Sequence, residues 1–275
     1  MKLGVIADVH GNLHALERVL DLLRDEAVDT YLCAGDLVGY GPYPNECIER
    51  LFDLGVVCVA GNHDLIAASR LAPDGIGALA RRTLNWTATE LREPNLRLLR
   101  DLPLRAEVGP VVIAHGSVDD PRRYVPADQV AGELDRLTGI LPHTPVLVLG
   151  HTHHPFAYGS ASGQLVMSRS GKVRFERGEA LALNPGSVGQ SRERRPVARF
   201  AILDLERREV DVRDTAYDHA ACRRALRQRG LPARASHQDP NGLRARLGRF
   251  RRRVGLARPA RDREAHFNRG PFQVT

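Results

Sequence analysis

A chain of 275 residues, 43% of them apolar, can bury a large core and is too mixed in composition for a fibrous or wholly disordered protein. Its net charge of +7 is uneven, because residues 221–275 hold 15 of the 40 Arg and Lys but 3 of the 33 Asp and Glu, so that this stretch carries +12 and the rest is acidic. No apolar run nears the roughly 20 residues of a membrane span, and the start MKLGVIADVH enters a strand rather than a signal peptide, so the expected location is the cytoplasm.

Residues 2–8 (KLGVIAD) predict a buried strand. Residues 12–26 (NLHALERVLDLLRDE) predict a helix with Leu13, Leu16, Leu20 and Leu23 at helical spacing and Asn12 as its N-cap. A strand is expected over 30–36, a helix opened by Pro44 over 44–55, and a third strand over 56–62. Strands alternating with helices imply a parallel sheet with right-handed crossovers. Residues 65–109 read as a helical insertion over the sheet edge, with two stretches parted near Pro94. Farther on, 110–116 and 144–153 each run apolar into glycine and histidine. Short segments at 156–159, 164–168, 172–176, 180–187, 198–205 and 209–214 have the punctuation of antiparallel hairpins. The expected fold is an α/β sandwich, half parallel and half antiparallel. Cys33, Cys47, Cys58 and Cys222 show no C-x-x-C pairing and read as reduced structural thiols.

The polar residues gather at one place on this frame. Asp8, His10, Asp36, Asn62, His63, Asp64, His115, His151 and His153 all fall at the C-terminal ends of apolar strands, where open α/β sheets bind ligands. Carboxylates and neutral imidazoles crowded there are electrostatically costly without a cation, and divalent ions make the cluster favourable. The count fits two ions. Asp8-x-His10 and His151-x-His153 can fan toward one centre, Asp36 has two oxygens with which to bridge, Asn62 offers an amide oxygen and His115 an imidazole. Two ions about 3.5 to 4 Å apart lower the pKa of a shared water and clamp an in-line displacement at phosphorus, which points to phosphoester hydrolysis.

In this order, Asp8-x-His10, Gly35-Asp36, Gly61-Asn62-His63-Asp64, His115-Gly116 and Gly150-His151-Thr152-His153 closely resemble the five blocks of the calcineurin-like metallophosphoesterase superfamily. GDLVGYGPYPNEC (35–47) and NPGSVGQSRE (184–193) are similar to its small prokaryotic phosphodiesterase branch. The resemblance spans about residues 1–216, with weaker similarity to about 235. It implies a four-layer α-β-β-α sandwich of two mixed sheets, metallo-dependent phosphatase-like, with the small helical insertion at about 65–109. It also implies two divalent metal ions. Asp8, His10, Asp36 and His153 would hold the first, and Asp36, Asn62, His115 and His151 the second. Mn²⁺ is the expected metal, and the mixed nitrogen and oxygen set also accepts Fe, Co, Ni or Zn. His63 would be the general acid, and Asp64 would orient it and favour its charged form. The expected reaction is attack of a metal-bridging hydroxide on phosphorus while His63 assists departure of the leaving oxygen.

Departures from the family pattern narrow the substrate. Phosphoprotein phosphatases and symmetrical dinucleoside tetraphosphate hydrolases carry Arg in G-D-x-V-D-R-G, where this chain has Tyr40, and commonly Glu where it has Asp64. The arginine that grips a dianionic phosphate is missing, though Arg192 or Arg195 could supply a cation. Small phosphodiesters are therefore the expected substrates. A phosphomonoesterase or nucleotide hydrolase on the same site is the rival, and a metal-bound scaffold without catalysis, disfavoured by His63, is the reading from another class. Asn184, Ser187 and Arg192 are candidate substrate contacts, against the plainer reading of a turn. His14 faces either solvent or the site rim, His154 belongs near the rim, His143, His219, His237 and His266 at the surface, and Trp86 in the insertion's core. Beyond the domain at 1–216, a basic helical segment is expected over 217–254, with helices at 217–232 and 241–255, and a disordered tail over 255–275. A solvated arginine-rich tail is its simpler reading, and nucleic acid, bound more weakly as salt rises, is the alternative partner. The sequence is compatible with a homo-oligomer.

Overall fold

A computed structural model describes residues 1–141, 146–167 and 170–240. The expected helix at 241–255, the tail, His143 and His266 lie outside these residues. The first part of the chain alternates strand and helix. β1 (Lys2–Ile6) is buried along most of its length, as a strand covered on both faces must be. In α1 (Leu13–Asp25) Ala15, Leu16, Val19, Leu20 and Leu23 are buried, and the Asn12 side chain accepts from the Ala15 N–H at 3.3 Å. β2 (Thr30–Cys33), α2 (Pro44–Asp53) and β3 (Val57–Cys58) follow. Next come α3 (Asn62–Ala67), α4 (Ala78–Glu90) and α5 (Glu93–Asp101).

The second part is richer in hairpins. β4 (Arg105–Val108) and β5 (Val111–Ala114) precede α6 (Val130–Ile140) and β6 (Val146–Val148). β7 (Phe156–Gly159), β8 (Gly163–Met167), β9 (Gly171–Arg174), β10 (Leu181–Asn184), β11 (Ala198–Asp204) and β12 (Glu209–Thr215) lead to α7 (His219–Gln228) and a 3₁₀ turn at Ala233–Ser236.

Two six-stranded sheets result, in the orders β3-β2-β1-β11-β12-β9 and β4-β5-β6-β10-β7-β8. β1, β2 and β3 run parallel, as do β5, β6 and β10, and the remaining pairs are antiparallel. Leu3, Val5 and Leu32 of one sheet meet Val111, Ile113, Val146, Val148, Leu181 and Leu183 of the other in a single core. The outer face of the first sheet, with Ile6, Cys33 and Phe200, packs on α1 and α2, and that of the second, with Val112, Leu147 and Ala182, on α6. The layers are α-β-β-α, as the resemblance implies. Among the described residues no helix is long and apolar enough to cross a membrane, and all four cysteines are free and buried.

Several local expectations change. The third strand shrinks to two residues, and Asn62, expected at a strand end, opens α3 instead. Residues 105–108, placed in the helical insertion, form the edge strand β4. α6 was not expected, because Gly132 and Gly139 dilute its helical signal. The two helical stretches expected near Pro94 do form, parted at Leu91 and Arg92, and Pro94 sits in the first turn of α5, where its missing N–H costs nothing. α7 packs Cys222 and Leu226 with Tyr40 and Ala80, and Trp86 lies against this cluster.

Candidate metal centre

Backbone pairing continues past the strand ends and sets the loops. Asp8 N–H donates to Gly35 O at 2.9 Å, His10 N–H to Asp36 O at 2.8 Å, and Gly150 N–H to His115 O at 2.8 Å. The turns are tight. Asp8, His10, Asp36, His151 and His153 all hold positive φ, from 50° to 64°, a region that costs a side-chain-bearing residue on the order of 1 kcal/mol or more. Gly61 is fixed by space, since a Cβ there would lie 2.1 Å from Asp36 Oδ1.

These loops bring seven expected ligands together. Single ligand atoms of Asp8, His10 and His153, of His10, Asp36 and His63, and of Asp36, His115 and His151 lie within 4.8 Å of one another in each group. Asp8 Oδ1 is 3.5 Å from His153 Nε2 and 3.9 Å from His10 Nε2. Asp36 Oδ2 is 3.4 Å from His115 Nε2 and 3.7 Å from His10 Nε2. One Asp36 oxygen thus faces both groups, whereas two were expected to share the task, because Oδ1 accepts the His63 N–H at 2.8 Å. Asn62 Oδ1 lies 3.1 Å from His115 Nε2.

The other ring nitrogens decide the protonation pattern. His10 Nδ1 faces Val38 O at 3.1 Å, His115 Nδ1 faces Ala34 O at 2.7 Å, His151 Nε2 faces Arg122 O at 3.1 Å and His153 Nδ1 faces Gln190 O at 2.7 Å. A carbonyl only accepts, so each of these nitrogens carries the hydrogen, and the neutral rings of His10, His151 and His153 turn a bare nitrogen inward, whereas His115 Nε2 faces the Asn62 and Asp36 oxygens and carries a proton that a metal would displace. His10 Nε2 and His153 Nε2 then face each other at 3.1 Å. Two lone pairs at that distance repel, yet they suit two ligands of one cation, and histidines tied outward to carbonyls are the usual metal-binding arrangement. Asp8 Oδ2 is buried without a partner. The residues present therefore fit divalent metal.

The electrostatics divide the cluster. Burial, with Asp36 nearby, raises the Asp8 carboxyl to about 8. Burial also opposes ionisation of Asp36, but His115, His63 and His10 hold it well below the usual carboxylate range. Burial likewise works against a charged His115, yet Asp36 raises it to about 9. His10 and His153 are pushed well below the ordinary imidazole value by burial, and His151, also beside His115, to about 3.

His63 differs from the four. Its Nδ1 is buried without a partner and lies where a Cβ on Gly39 would come within 2.3 Å. Its ring sits 4.8 Å from that of Tyr40 and 4.8 Å from that of His10. Burial lowers its pKa. The expected Asp64–His63 contact is corrected: Asp64 Oδ2 accepts the Gly61 N–H at 2.9 Å and Oδ1 the Val38 N–H at 3.1 Å, so it caps α3 and ties it to the Asp36 loop. Burial and Asp36 raise Asp64 to about 7.

Two of the three expected substrate contacts are also corrected. Asn184 is fully buried, donates to Gly150 O at 2.6 Å and Thr152 Oγ1 at 3.2 Å, and accepts the Gly186 N–H at 2.9 Å. Ser187 donates to Asp8 O at 2.9 Å and accepts the Gln190 N–H at 2.9 Å. Both brace ligand loops from inside. Arg192 donates to the hydroxyl of Tyr124, whose ring packs on His151, and its charge acts on Asp8, His10, His63 and His153, whereas Arg195 is exposed. His219 and His237, expected at the surface, are half-buried and lie 3.0 Å from Ser236 Oγ and 2.8 Å from Glu193 O. Sequence reasoning missed Tyr124, whose ring lies 4.3 Å from that of His151. Its loop has no periodicity to betray it.

Comparison with known proteins bears on this centre. Residues 1–208 match the family model of the calcineurin-like phosphoesterase superfamily domain. An uncharacterised protein of Methanocaldococcus jannaschii is 31% identical over 222 residues, 78% of this chain and 88% of its own. Phosphodiesterase YfcE of Escherichia coli K12 is 28% identical over 214 residues, 74% of this chain and 88% of its own. The crystal structure of a metallophosphoesterase from Sphaerobacter thermophilus superposes with a TM-score of 0.74 at 32% identity, covering 86% of this chain and 96% of that one. With that family model covering most of its length, the chain belongs to the calcineurin-like phosphoesterase superfamily and is a metallophosphoesterase.

Proposed function

We infer that this chain hydrolyses phosphodiesters at a centre of two divalent cations. The observation that carries the reading is the set of four histidines tied outward to carbonyls, with their other nitrogens converging on Asp8 and Asp36. Asp8, His10 and His153 would hold one ion and Asn62, His115 and His151 the other, with Asp36 shared. When bound, such a pair supplies an activated water and neutralises charge at phosphorus. Mn²⁺ is the metal to try first.

The chain's own groups do the rest. His63 has no carbonyl holding its Nδ1 and is the one clustered imidazole free of a structural bond, so its ring can take up a proton, against a burial that favours the neutral form, and pass it to the leaving oxygen. Asp64, by capping α3, fixes the pitch at which Asn62 and His63 leave the helix start. Arg192 presents one guanidinium to the substrate, and Tyr40 stands where related phosphatases carry a second. One cation matches the single charge of a diester better than the double charge of a monoester. The name of the YfcE relative, a phosphodiesterase, supports this choice.

The test is to measure metal content and then turnover of aryl diesters and aryl monoesters with Mn²⁺, with His63→Ala alongside. Two ions per chain and faster diester turnover are expected, with kcat lowered about 10²- to 10⁴-fold in the variant at unchanged metal content. Turnover of monoesters alone, or diester turnover equal to that of the variant, would overturn the reading.

A further inference from the structure

The mouth of the centre holds a pair of side chains that the reaction above does not fully use. Arg192 donates through one terminal nitrogen to the Tyr124 hydroxyl, while its Nε is buried without a partner. Because Nε is closed off from solvent, an anion would meet this guanidinium through its terminal nitrogens, whose charge the neutral Tyr124 hydroxyl does not cancel. Tyr124 packs its ring at 57° to that of His151, 4.3 Å between centroids, yet stays 48% exposed. Of the large apolar side chains that remain exposed among the described residues, Leu104, Tyr124 and Ile140, Tyr124 is the aromatic one.

The ring is held rather than loose. Arg122, two residues earlier, offers its carbonyl to His151 Nε2 at 3.1 Å, so the loop is pinned to the same imidazole at two points. Upstream, Ser117 Oγ accepts the Asp120 N–H at 3.0 Å and Glu133 accepts the Val118 N–H at 2.6 Å. A pre-positioned aromatic face beside an unsatisfied cation offers stacking and charge pairing at little ordering cost.

We propose that Tyr124 and Arg192 form one subsite, the guanidinium taking a phosphoryl oxygen and the Tyr124 ring stacking on a planar group of the same molecule. The preferred substrates are then nucleoside phosphodiesters over aliphatic ones. This rests on the diesterase reading of the centre and adds the chemical class of the esterified group.

The experiment compares wild type, Tyr124→Leu and Tyr124→Phe on 2′,3′-cyclic AMP and on glycerophosphocholine with Mn²⁺. Tyr124→Leu is expected to lower kcat/KM for the nucleotide about tenfold more than for the aliphatic diester. Tyr124→Phe keeps the ring but loses the hydroxyl bond to Arg192, and it should lower both by a similar factor of about five. Equal losses on the two substrates in Tyr124→Leu would overturn the stacking role, as would a wild-type preference for glycerophosphocholine. If wild type cleaves neither diester, the diesterase reading fails, and calorimetric titration of the metal-loaded proteins with adenosine 5′-monophosphate and glycerol 3-phosphate decides the subsite separately. About tenfold weaker nucleotide binding in Tyr124→Leu, with glycerol phosphate unchanged, upholds it; equal affinities reject it.

Discussion

Strand β1 has a charged cluster at each end, and the two are built on opposite terms. At its start, Lys2 Nζ donates to Glu26 Oε2 at 2.7 Å and Arg213 to Glu26 Oε1 at 2.6 Å, while Arg213 also pairs with Asp211 at 2.7 Å. Those two cations bring the Glu26 carboxyl down to about 2. Beyond its end, Asp8 meets imidazoles and backbone, with the Arg192 guanidinium acting on it only through its charge, and burial brings its carboxyl up to about 8. The same chemical group moves in opposite directions. A cluster that supplies its own counter-charge is structure, whereas one with more acceptors than donors asks for something from outside the chain.

The strongest way to break this contrast is Asp36→Asn. It removes the oxygen shared by both groups, and turnover should fall about 10³-fold or more with a loss of bound metal, because ion-derived charge stabilisation is worth several kcal/mol. Metal analysis beside kinetics reads this directly; full metal content and rate in the variant would mean that the acceptor cluster balances itself.

Asp64→Ala sharpens the boundary between site and scaffold. It leaves the Gly61 and Val38 N–H groups without their carboxylate, so urea unfolding should show a loss of about 1–3 kcal/mol. Should kcat drop while stability holds, Asp64 would belong with His63 after all.

The smallest effect is expected at the opposite end of β1. Glu26 has a folded pKa of about 2 against an ordinary 4.5, so its pairing stabilises the fold fully above about pH 4.5 and is lost as pH falls toward 2. Glu26 is about a third exposed, and solvent screening leaves about 1 kcal/mol. The gap between wild type and Glu26→Gln, followed by urea unfolding from pH 6 downward, should narrow over that window. A gap that stays constant would show that the pairing adds nothing.

Much of the candidate site's clustering was legible because its candidate ligands are carried by strand ends with strong apolar runs before them. Asp8, His10, Asp36, His115, His151 and His153 needed only the order of the strands to be brought together. What escaped was local hydrogen bonding. GNHD looks like a strand terminus after GVVCVA, yet Gly61 and Asp64 form an N-terminal cap that converts it to a helix start. The polarity of Asn184 and Ser187 suggested contact with substrate, but a buried amide or hydroxyl can equally serve neighbouring backbone, and no spacing distinguishes the two uses. Tyr124 sits on a loop that meets His151 and, through its hydroxyl, Arg192, nearly seventy residues away, which no spacing in the sequence reveals.

The left-handed backbone at five candidate ligands has a consequence for how this centre can vary. Asp, Asn and His enter that region more readily than other residues with side chains. Conformation therefore narrows the alphabet at Asp8, His10, Asp36, His151 and His153 to types that happen to bind metals, and glycine is the relaxed substitute that would bind nothing. Exchange of Asp for Glu, mild on chemical grounds, would there be resisted by the main chain itself.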